Sequence, residues 1–204
     1  MPEKLSVKSM SEDPLDQFRR WYDQAVEQVP GPHIEPHAMS LATCSGSGAP
    51  SVRTVLMKEF NQAGVIFFTN YSSRKGEELA HNPQAALLFY WWYMGRQVRI
   101  EGAVEKLSAV ESDSYFHSRP RQSRIGAVAS PQSRPISSRR ELISRFRQVS
   151  SRFRGMAIDR PFHWGGYIVK PGAMEFWQAG NHRLHDRFRY EKEEGSWRLN
   201  RLAP

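Results

Sequence analysis

Cysteine is almost missing from this 204-residue chain, which contains only Cys44. A disulfide within the chain is therefore excluded, and the composition fits a reducing compartment, so we expect a cytoplasmic protein. No run of about eighteen apolar residues occurs, the length that a membrane-spanning helix needs. The first thirteen residues are polar and lack the hydrophobic centre of a signal peptide. We therefore expect no membrane as a partner.

Two common kinds of ligand motif are also missing. The chain contains neither GxGxxG nor GxxxxGK followed by Ser or Thr, the glycine-rich loops that hold the phosphates of dinucleotides and nucleoside triphosphates. It also lacks the cysteine and histidine spacings of zinc sites, so we expect no metal.

The net charge of +8 is concentrated in one segment that contains almost no acidic residues. Residues 119–154 contain ten arginines, no lysine and one acid, Glu141, which gives this segment a charge of +9. Arginine suits nucleic acid backbones and phosphate monoesters alike. The solvated face of a helix is a third interpretation, and the better one for most of these side chains. RNA-binding signatures are not evident, so we expect no nucleic acid as a partner.

Apolar segments are short and are separated by polar turns, which is typical of antiparallel strands. We predict strands at residues 37–43, 51–58, 65–69, 85–93, 97–107, 164–169, 173–178, 187–190 and 196–199. We predict helices at residues 14–28, 72–81, 108–117 and 138–153, with an irregular segment between 119 and 137. Ser138 and Glu141 form a capping box for the last helix. Its apolar face consists of Leu142, Ile143, Phe146, Val149 and Phe153.

The pattern indicates an α+β barrel rather than a doubly wound sheet. We expect one domain over residues 13–204, preceded by a flexible N-terminal segment at residues 1–12.

Two segments combine cations with strand or helix ends. Arg53 and Lys58 lie on opposite faces of one predicted strand, which suits two different anions or an ordinary exposed strand. Arg74 and Lys75 lie in the first turn of a predicted helix, where cations oppose the helix dipole. A bound phosphate would offset that cost. The alternative for Arg74 and Lys75 is a simple surface pair.

Two further clusters combine aromatic, hydroxyl and cationic groups. Tyr115 and Arg119 are neighbours on one helical face, and Ser123 joins them if the chain turns at Pro120. Such a set suits a phosphate, and Gln132-Ser133 add an amide and a hydroxyl nearby in sequence. In the C-terminal tail, Trp177 offers a ring, and the cations and histidine around it suit a planar anionic ligand: Arg183, His185 and Arg187.

In this order, these segments resemble the pyridoxamine 5′-phosphate oxidase family. The resemblance runs from about Asp13 to Pro204. It rests on residues 53–58, 68–70 with 73–75, 97–98, 115–120, 132–133, 164–166, 175–178, 183–187 and 201–204. Any one of these segments alone is a weak signal, whereas their order over most of the chain is specific.

The resemblance implies an antiparallel FMN-binding split β-barrel with flanking helices, working as a homodimer with FMN at the subunit interface. It assigns FMN to Arg53, Thr54, Val55, Leu56, Met57, Lys58, Phe68, Thr69, Arg74, Lys75, Gln97, Gln132, Ser133, Trp177 and Arg187. It assigns the substrate phosphate to Lys58, Tyr115, Arg119 and Ser123. It places Arg183 and His185 over the substrate ring as the catalytic pair.

The activity that the resemblance implies is oxidation of pyridoxamine 5′-phosphate, pyridoxine 5′-phosphate or both to pyridoxal 5′-phosphate, a step of vitamin B6 (pyridoxine) biosynthesis. A hydride passes to flavin N5, and dioxygen reoxidises the flavin to give hydrogen peroxide. Alternatives remain: another flavin or deazaflavin enzyme on the same barrel, including one of phenazine biosynthesis, and a flavin store or pyridoxal phosphate carrier.

The N-terminal segment departs from the family pattern. Well-known members carry an Arg and a Tyr there that help to cover the substrate, whereas residues 1–12 contain neither. Either the cover is trimmed, or Lys4 and Lys8 replace it in part. The departure predicts weaker sequestration of the substrate.

Overall fold

The fold is an antiparallel sheet of nine strands, curled into a half-barrel and flanked by five α-helices, in a computed structural model that describes residues 5–204. The strands are β1 (Ala38–Cys44), β2 (Pro50–Leu56), β3 (Glu59–Asn61), β4 (Gly64–Asn70), β5 (Gln84–Trp91), β6 (Arg96–Lys106), β7 (Trp164–Gln178), β8 (Asp186–Glu193) and β9 (Ser196–Arg201). The helices are α1 (Pro14–Glu27), α2 (Arg74–His81), α3 (Ala109–Ser118), α4 (Arg121–Ala129) and α5 (Arg139–Arg152). The predicted α+β antiparallel class is confirmed.

Strand β7 is the centre of the sheet and the point at which it divides. It pairs with β6 along its length, while its first half also pairs with β4 and its second half with β8. A register shift between Glu101 and Gly102 lets β6 follow the bend. A Cβ at Gly102 would lie 1.9 Å from the carbonyl oxygen of Lys170, so only glycine fits there.

The prediction of two separate strands over residues 164–178 is wrong. Strand β7 continues through Pro171 and Gly172, which lie between the two predicted strands, to Gln178. Their position opposite the register shift of β6 explains why a proline is tolerated, since regular ladder hydrogen bonding is interrupted there. The three-residue strand β3 was not predicted, because it is too short to show alternation.

The main core lies between α1 and one face of the sheet. Asp13 caps α1 by accepting a hydrogen bond from the backbone N–H of Leu15 at 2.7 Å. The helix then buries Phe18 and Trp21, whose rings lie 5.0 Å from Phe89 and 5.3 Å from Phe176, respectively. Burying each such ring contributes about 1.5–3 kcal/mol, so this helix is fixed on the sheet largely by its aromatic side chains.

A second, smaller core joins α3, α4 and α5 to the start of β7. Phe116, Ile125, Ile158 and Trp164 are buried in it. The prediction of an irregular segment over residues 119–137 is wrong, because α4 occupies Arg121–Ala129 and buries Ile125. That helix was not predicted because Pro120 and the Arg/Ser composition are typical of a loop. In the structure, Pro120 stands at the N-cap position of α4.

Helix α5 contacts this second core with only part of its predicted apolar face. Phe146, Val149 and Phe153 pack against it, whereas Ile143 is 42% exposed. Helix α5 therefore covers the cluster without being buried itself.

The described part of the N-terminal segment packs on the barrel. Leu5 and Met10 are buried, and the backbone N–H of Leu5 donates to Asp186 Oδ2 at 3.0 Å. Lys8 is exposed in the short turn Val7–Ser9, while Lys4 lies outside the described residues. Across residues 5–204, none of the helices combines the length and apolar character needed to cross a membrane.

Candidate active site

Strands β2 and β4 and helices α2 to α4 enclose a cavity of about 460 Å³, called here the cationic cavity. It is lined by predicted site residues from separate parts of the chain: Thr54, Val55, Leu56, Lys58, Phe68, Thr69, Lys75, Tyr115, Arg119, Ser123 and Gln132. The fold thus brings residues 54–58, 68–75 and 115–132 together. Sequence reasoning missed further lining residues, several of which belong to the unpredicted α4 or follow it: Asn70, Gly126, Ala127, Ser130 and Trp164.

Lys75 enters the cavity from the first turn of α2. Ser73 caps this helix, and Gly76 is required because a Cβ there would lie 2.1 Å from the carbonyl oxygen of Tyr71. That close approach fixes the first turn against the end of β4. Lys75 is consequently held inward, with only 8% of its surface exposed.

Among residues 5–204, the ammonium group of Lys75 donates hydrogen bonds only to neutral oxygens. Its Nζ donates to Thr69 Oγ1 at 3.4 Å, to Ser73 Oγ at 3.3 Å and to Gln132 Oε1 at 3.3 Å. No carboxylate of residues 5–204 forms an ion pair with it. Burial, together with the nearby charge of Arg53, lowers the pKa of Lys75. A buried cation normally has an anionic partner, so this arrangement indicates that a ligand supplies the anion.

Arg119 supplies a second cation with unused hydrogen-bonding capacity. Its guanidinium carbon lies 4.7 Å from the ring centre of Trp164, and its Nη1 is buried without a hydrogen-bond partner in the described chain. Burial lowers the pKa of Arg119. A buried guanidinium N–H without an acceptor is costly, so an anion in the cavity would relieve it.

An aromatic wall orients the other groups of the cavity. Tyr115 stacks on Phe68 with ring centres 3.8 Å apart, and Trp164 continues the stack. Burial raises the pKa of Tyr115, so its hydroxyl is a proton donor at neutral pH. Lys58 and Ser123 line the same cavity and are exposed.

Four predicted FMN residues lie beside the cavity rather than in its lining. Arg53 and Arg74 both form ion pairs with the buried carboxylate of Glu78. The side chain of Met57 is buried in the main core. Ser133 is exposed and has a left-handed backbone conformation, with φ of 67°.

A second group of predicted residues lies in register across β6, β7 and β8. Gln97 pairs with Trp177, which pairs with Arg187. All three line a groove of about 290 Å³. Arg187 is fixed from two sides, because its Nε donates to Glu175 at 2.9 Å and its Nη1 to the carbonyl of Ala203 at 2.8 Å. We call this surface the sheet groove.

The predicted catalytic pair lies on the turn that follows β7. His182 and Arg183 both have positive φ, 55° and 64°, a strained conformation that is concentrated at functional sites. The backbone N–H of Gly180 donates to His185 Nδ1 at 3.1 Å, and the His185 ring lies 4.7 Å from Trp177. His185 lines a cavity of about 860 Å³, whereas Arg183 is exposed and does not line it.

Within one chain, therefore, the predicted residues fall into two groups. The cationic cavity holds one group, and the sheet groove with its adjoining turn holds the other. The sheet groove and the turn are linked by the contact between Trp177 and His185.

Comparison with known proteins identifies the family. Residues 22–153 match the family model described as pyridoxamine 5′-phosphate oxidase. The chain belongs to the pyridoxamine 5′-phosphate oxidase family. Residues 164–204, which contain Trp177 and Arg187 of the sheet groove, match the model described as the pyridoxine 5′-phosphate oxidase C-terminal dimerisation region. The predicted family and fold are both confirmed.

Relatives of similar length agree with this assignment. A pyridoxine/pyridoxamine 5′-phosphate oxidase of Bordetella pertussis is 54% identical over 202 residues, covering 98% of this chain and 93% of that protein. One of Cyanothece sp. is 49% identical over 202 residues, covering 99% of this chain and 93% of its own length. The chain is therefore a member of an oxidoreductase family.

Solved structures share the fold. The crystal structure of PhzG from Burkholderia lata, in complex with tetrahydrophenazine-1-carboxylic acid, has a TM-score of 0.90 and 33% identity, covering 99% of this chain and 98% of that one. A pyridoxamine 5′-phosphate oxidase-related, FMN-binding protein from Nostoc punctiforme has a TM-score of 0.73. It is 15% identical, covers 96% of this chain and 100% of that one, and supports the fold alone.

Proposed function

We propose that this chain is an FMN-dependent oxidase that converts pyridoxamine 5′-phosphate, pyridoxine 5′-phosphate or both to pyridoxal 5′-phosphate. The observation that carries the proposal is the cationic cavity, where Lys75 is buried with no carboxylate of residues 5–204 in an ion pair with it, and Arg119 has a buried nitrogen that finds no acceptor in that same part of the chain. Both side chains can therefore bind an anionic group, and phosphate is the anionic group that FMN shares with these substrates.

The donor set fits FMN. Lys75, Thr69 and Gln132 already form one hydrogen-bonded cluster, and cationic, hydroxyl and amide groups of this kind are typical partners of a phosphate. Residues 53–58, Phe68, Arg74 and Ser133 complete the set that would hold FMN on this side. The chemistry that FMN supplies when bound is acceptance of a hydride and transfer of the electrons to dioxygen, which gives hydrogen peroxide.

The remaining groups of the cavity would hold the substrate phosphate. Arg119 and Lys58 contribute charge-assisted hydrogen bonds, while Tyr115 and Ser123 contribute hydroxyls. Tyr115 is protonated at neutral pH and burial raises its pKa further, so its hydroxyl can donate, and stacking on Phe68 fixes the plane of its ring. The two cations match the two negative charges of a phosphate monoester, and the four groups together offer enough donors for its three terminal oxygens.

The turn after β7 would orient the substrate ring. Because the N–H of Gly180 donates to His185 Nδ1, the neutral imidazole carries its proton on Nε2 and presents a donor. The contact with Trp177 fixes the plane of this ring. Arg183 adjoins it on the same strained turn, and we propose Arg183 and His185 as the residues nearest the reacting carbon.

A homodimer would unite the two groups of residues. Gln97, Trp177 and Arg187 would hold FMN from the partner copy, because they line the sheet groove and two of them lie in the segment that matches the dimerisation region. Each dimer would then contain two equivalent sites, as an isologous interface requires.

Oxygen uptake with each of the two phosphate esters, measured at increasing FMN concentrations, tests this function. We expect uptake that saturates with FMN and yields pyridoxal 5′-phosphate. Firm FMN binding without uptake on either ester would instead favour a flavin store or carrier. The high TM-score of PhzG makes a tetrahydrophenazine carboxylate the appropriate comparison substrate. We expect it to be oxidised poorly, because the Lys58–Arg119 pair suits a dianion.

A further inference from the structure

Glu78 is a buried acid between two arginines of the proposed FMN set. Its side chain is 6% exposed. Oε1 accepts from Arg74 Nε at 2.8 Å, and Oε2 accepts from Arg53 Nη2 at 3.2 Å. The hydroxyl of Ser51 donates to Oε2 at 2.6 Å, and that of Thr43 also donates to it. A single carboxylate thus joins α2 to strands β1 and β2.

Glu78 lies near Lys75 but forms its ion pairs with Arg53 and Arg74 instead. It is an acid close enough to raise the pKa of Lys75, yet no ion pair forms between the two in the described chain. Both carboxylate oxygens are already engaged, by Arg74 on one and by Arg53 and two hydroxyls on the other. The positive charge of Lys75 therefore remains available to a ligand.

Arg53 takes part of its orientation from this carboxylate. Its Nη1 donates to the carbonyl of Leu41 at 3.1 Å and to Thr43 Oγ1, and its Nη2 donates to Ser51 Oγ and to Glu78, so the guanidinium is directed toward α2. The side chain of Arg74 is 62% exposed, and Glu78 is the partner that directs its Nε. Without Glu78, Arg74 would regain rotamer freedom. Arg53 would keep its neutral acceptors but lose its one charged partner among the described residues.

We propose that Glu78 is a positioning residue for phosphate recognition. It holds Arg53 and Arg74 beside Lys75 so that the three cations receive the FMN phosphate together. The proposal rests on the FMN binding proposed above. If Glu78 only repelled the phosphate, its removal would strengthen FMN binding. The positioning role predicts the opposite, a weaker FMN affinity after its removal.

Flavin titration separates these effects. The full-length chain freed of flavin is titrated with FMN and with riboflavin, which lacks the phosphate, and flavin fluorescence gives both affinities. We expect Glu78→Gln to weaken FMN binding on the order of 10-fold, the effect of about one charge-assisted hydrogen bond, and to leave riboflavin binding unchanged. A merely structural role would weaken both flavins equally.

Glu77→Gln is the matched control, since it removes the same charge from the neighbouring position. Glu77 is exposed and pairs with Arg134, so both flavin affinities should stay at the wild-type values. Ser51→Ala is a second, uncharged variant that removes one hydrogen bond from Glu78 and one from Arg53 Nη2. It should weaken FMN binding about threefold with riboflavin unchanged, and it keeps the test available if Glu78→Gln folds poorly.

Besides equal weakening of both flavins, two outcomes would overturn the proposal in distinguishable ways. Equal affinities of the wild-type chain for FMN and riboflavin would remove the phosphate site itself, and the role of Glu78 with it. A wild-type preference for FMN that persists unchanged in Glu78→Gln and Ser51→Ala, or that increases in Glu78→Gln, would remove the role of Glu78 alone.

Discussion

Lys75 shows at the scale of one residue how a binding site costs stability. Its ammonium is buried, and its partners in the described chain are neutral oxygens at 3.3–3.4 Å. Desolvation of the charge is therefore poorly compensated until a ligand arrives. Strain of this kind is common where binding, rather than folding, selects the residue.

Replacing Lys75 with Met should separate binding from stability. We expect FMN affinity to fall on the order of 100-fold, because a buried charge-assisted contact to phosphate is lost. The flavin-free chain should become more stable by about 1 kcal/mol, because an unpaired buried charge is removed. Urea denaturation of the flavin-free variant checks the second effect. A loss of stability there would mean that Lys75 is satisfied within the chain.

Glu78 predicts a dependence of stability on pH. Burial alone would raise its pKa, but hydrogen bonds from four neighbours outweigh burial and lower the pKa from 4.5 to about 2. A carboxyl with a lowered folded-state pKa stabilises the fold above pH 4.5, and that stabilisation is lost as the pH falls toward 2.

We therefore expect the wild-type chain to lose roughly 1 kcal/mol more stability than Glu78→Gln between pH 4.5 and pH 3.5. Urea denaturation at the two pH values, on flavin-free protein, measures this difference. Parallel losses in the two proteins would show that the carboxylate is not held as the structure describes.

At the scale of elements, the start of α2 illustrates how local packing sets the cavity. Gly76 lies so close to the carbonyl oxygen of Tyr71 that an added Cβ would be 2.1 Å away. Gly126, in α4, has no atom within 4 Å of the same ideal position. The two glycines are both helical, yet only Gly76 is required by a close approach of backbone.

Alanine substitution should therefore have opposite effects at these two positions. Gly76→Ala should destabilise the chain by about 1–3 kcal/mol through overpacking against backbone. Gly126→Ala should stabilise it by about 0.5–1 kcal/mol, the usual gain of alanine over glycine within a helix. Thermal unfolding of both variants measures the two changes in stability. Equal changes in Gly76→Ala and Gly126→Ala would contradict the described position of α2.

Most elements were predictable because their signals are local. The Asp13-Pro14 start of α1 and the Ser138–Glu141 start of α5 are helix caps that act over three or four residues. The continuity of β7 through Pro171 was not predictable, because it depends on a register shift in the neighbouring strand β6. The helix α4 was missed because Pro120 resembles a turn in sequence.

For the candidate site, the sequence indicated the clusters of functional residues but not how the fold arranges them. Local reasoning found the cation and hydroxyl clusters, and the family resemblance divided them between FMN and substrate. Sequence could not show that Trp177 and Arg187 line a groove separate from the cavity of Lys75, because that depends on which face of the sheet each strand presents. The role of Glu78 was also hidden, since its partners Thr43 and Ser51 are distant in sequence.

At the scale of the whole molecule, the separation of the two groups is the decisive feature. One chain places Lys75 in the cationic cavity and Arg187 in the sheet groove, and Arg187 lies within the segment that matches a dimerisation region. The central claim is therefore that one active site combines the cavity of one copy with the groove of its partner.

Complementation between two inactive variants tests that claim most directly. Lys75→Met damages the cavity and Arg187→Gln damages the groove, so each homodimer has two damaged sites. When the two variants are refolded together, half of the dimers should be mixed, and each mixed dimer should contain one intact site. We predict that oxygen uptake with pyridoxamine 5′-phosphate recovers to about a quarter of the wild-type rate. Mixed dimers, verified by mass spectrometry, that show no more uptake than the parent variants would contradict a site shared between two copies.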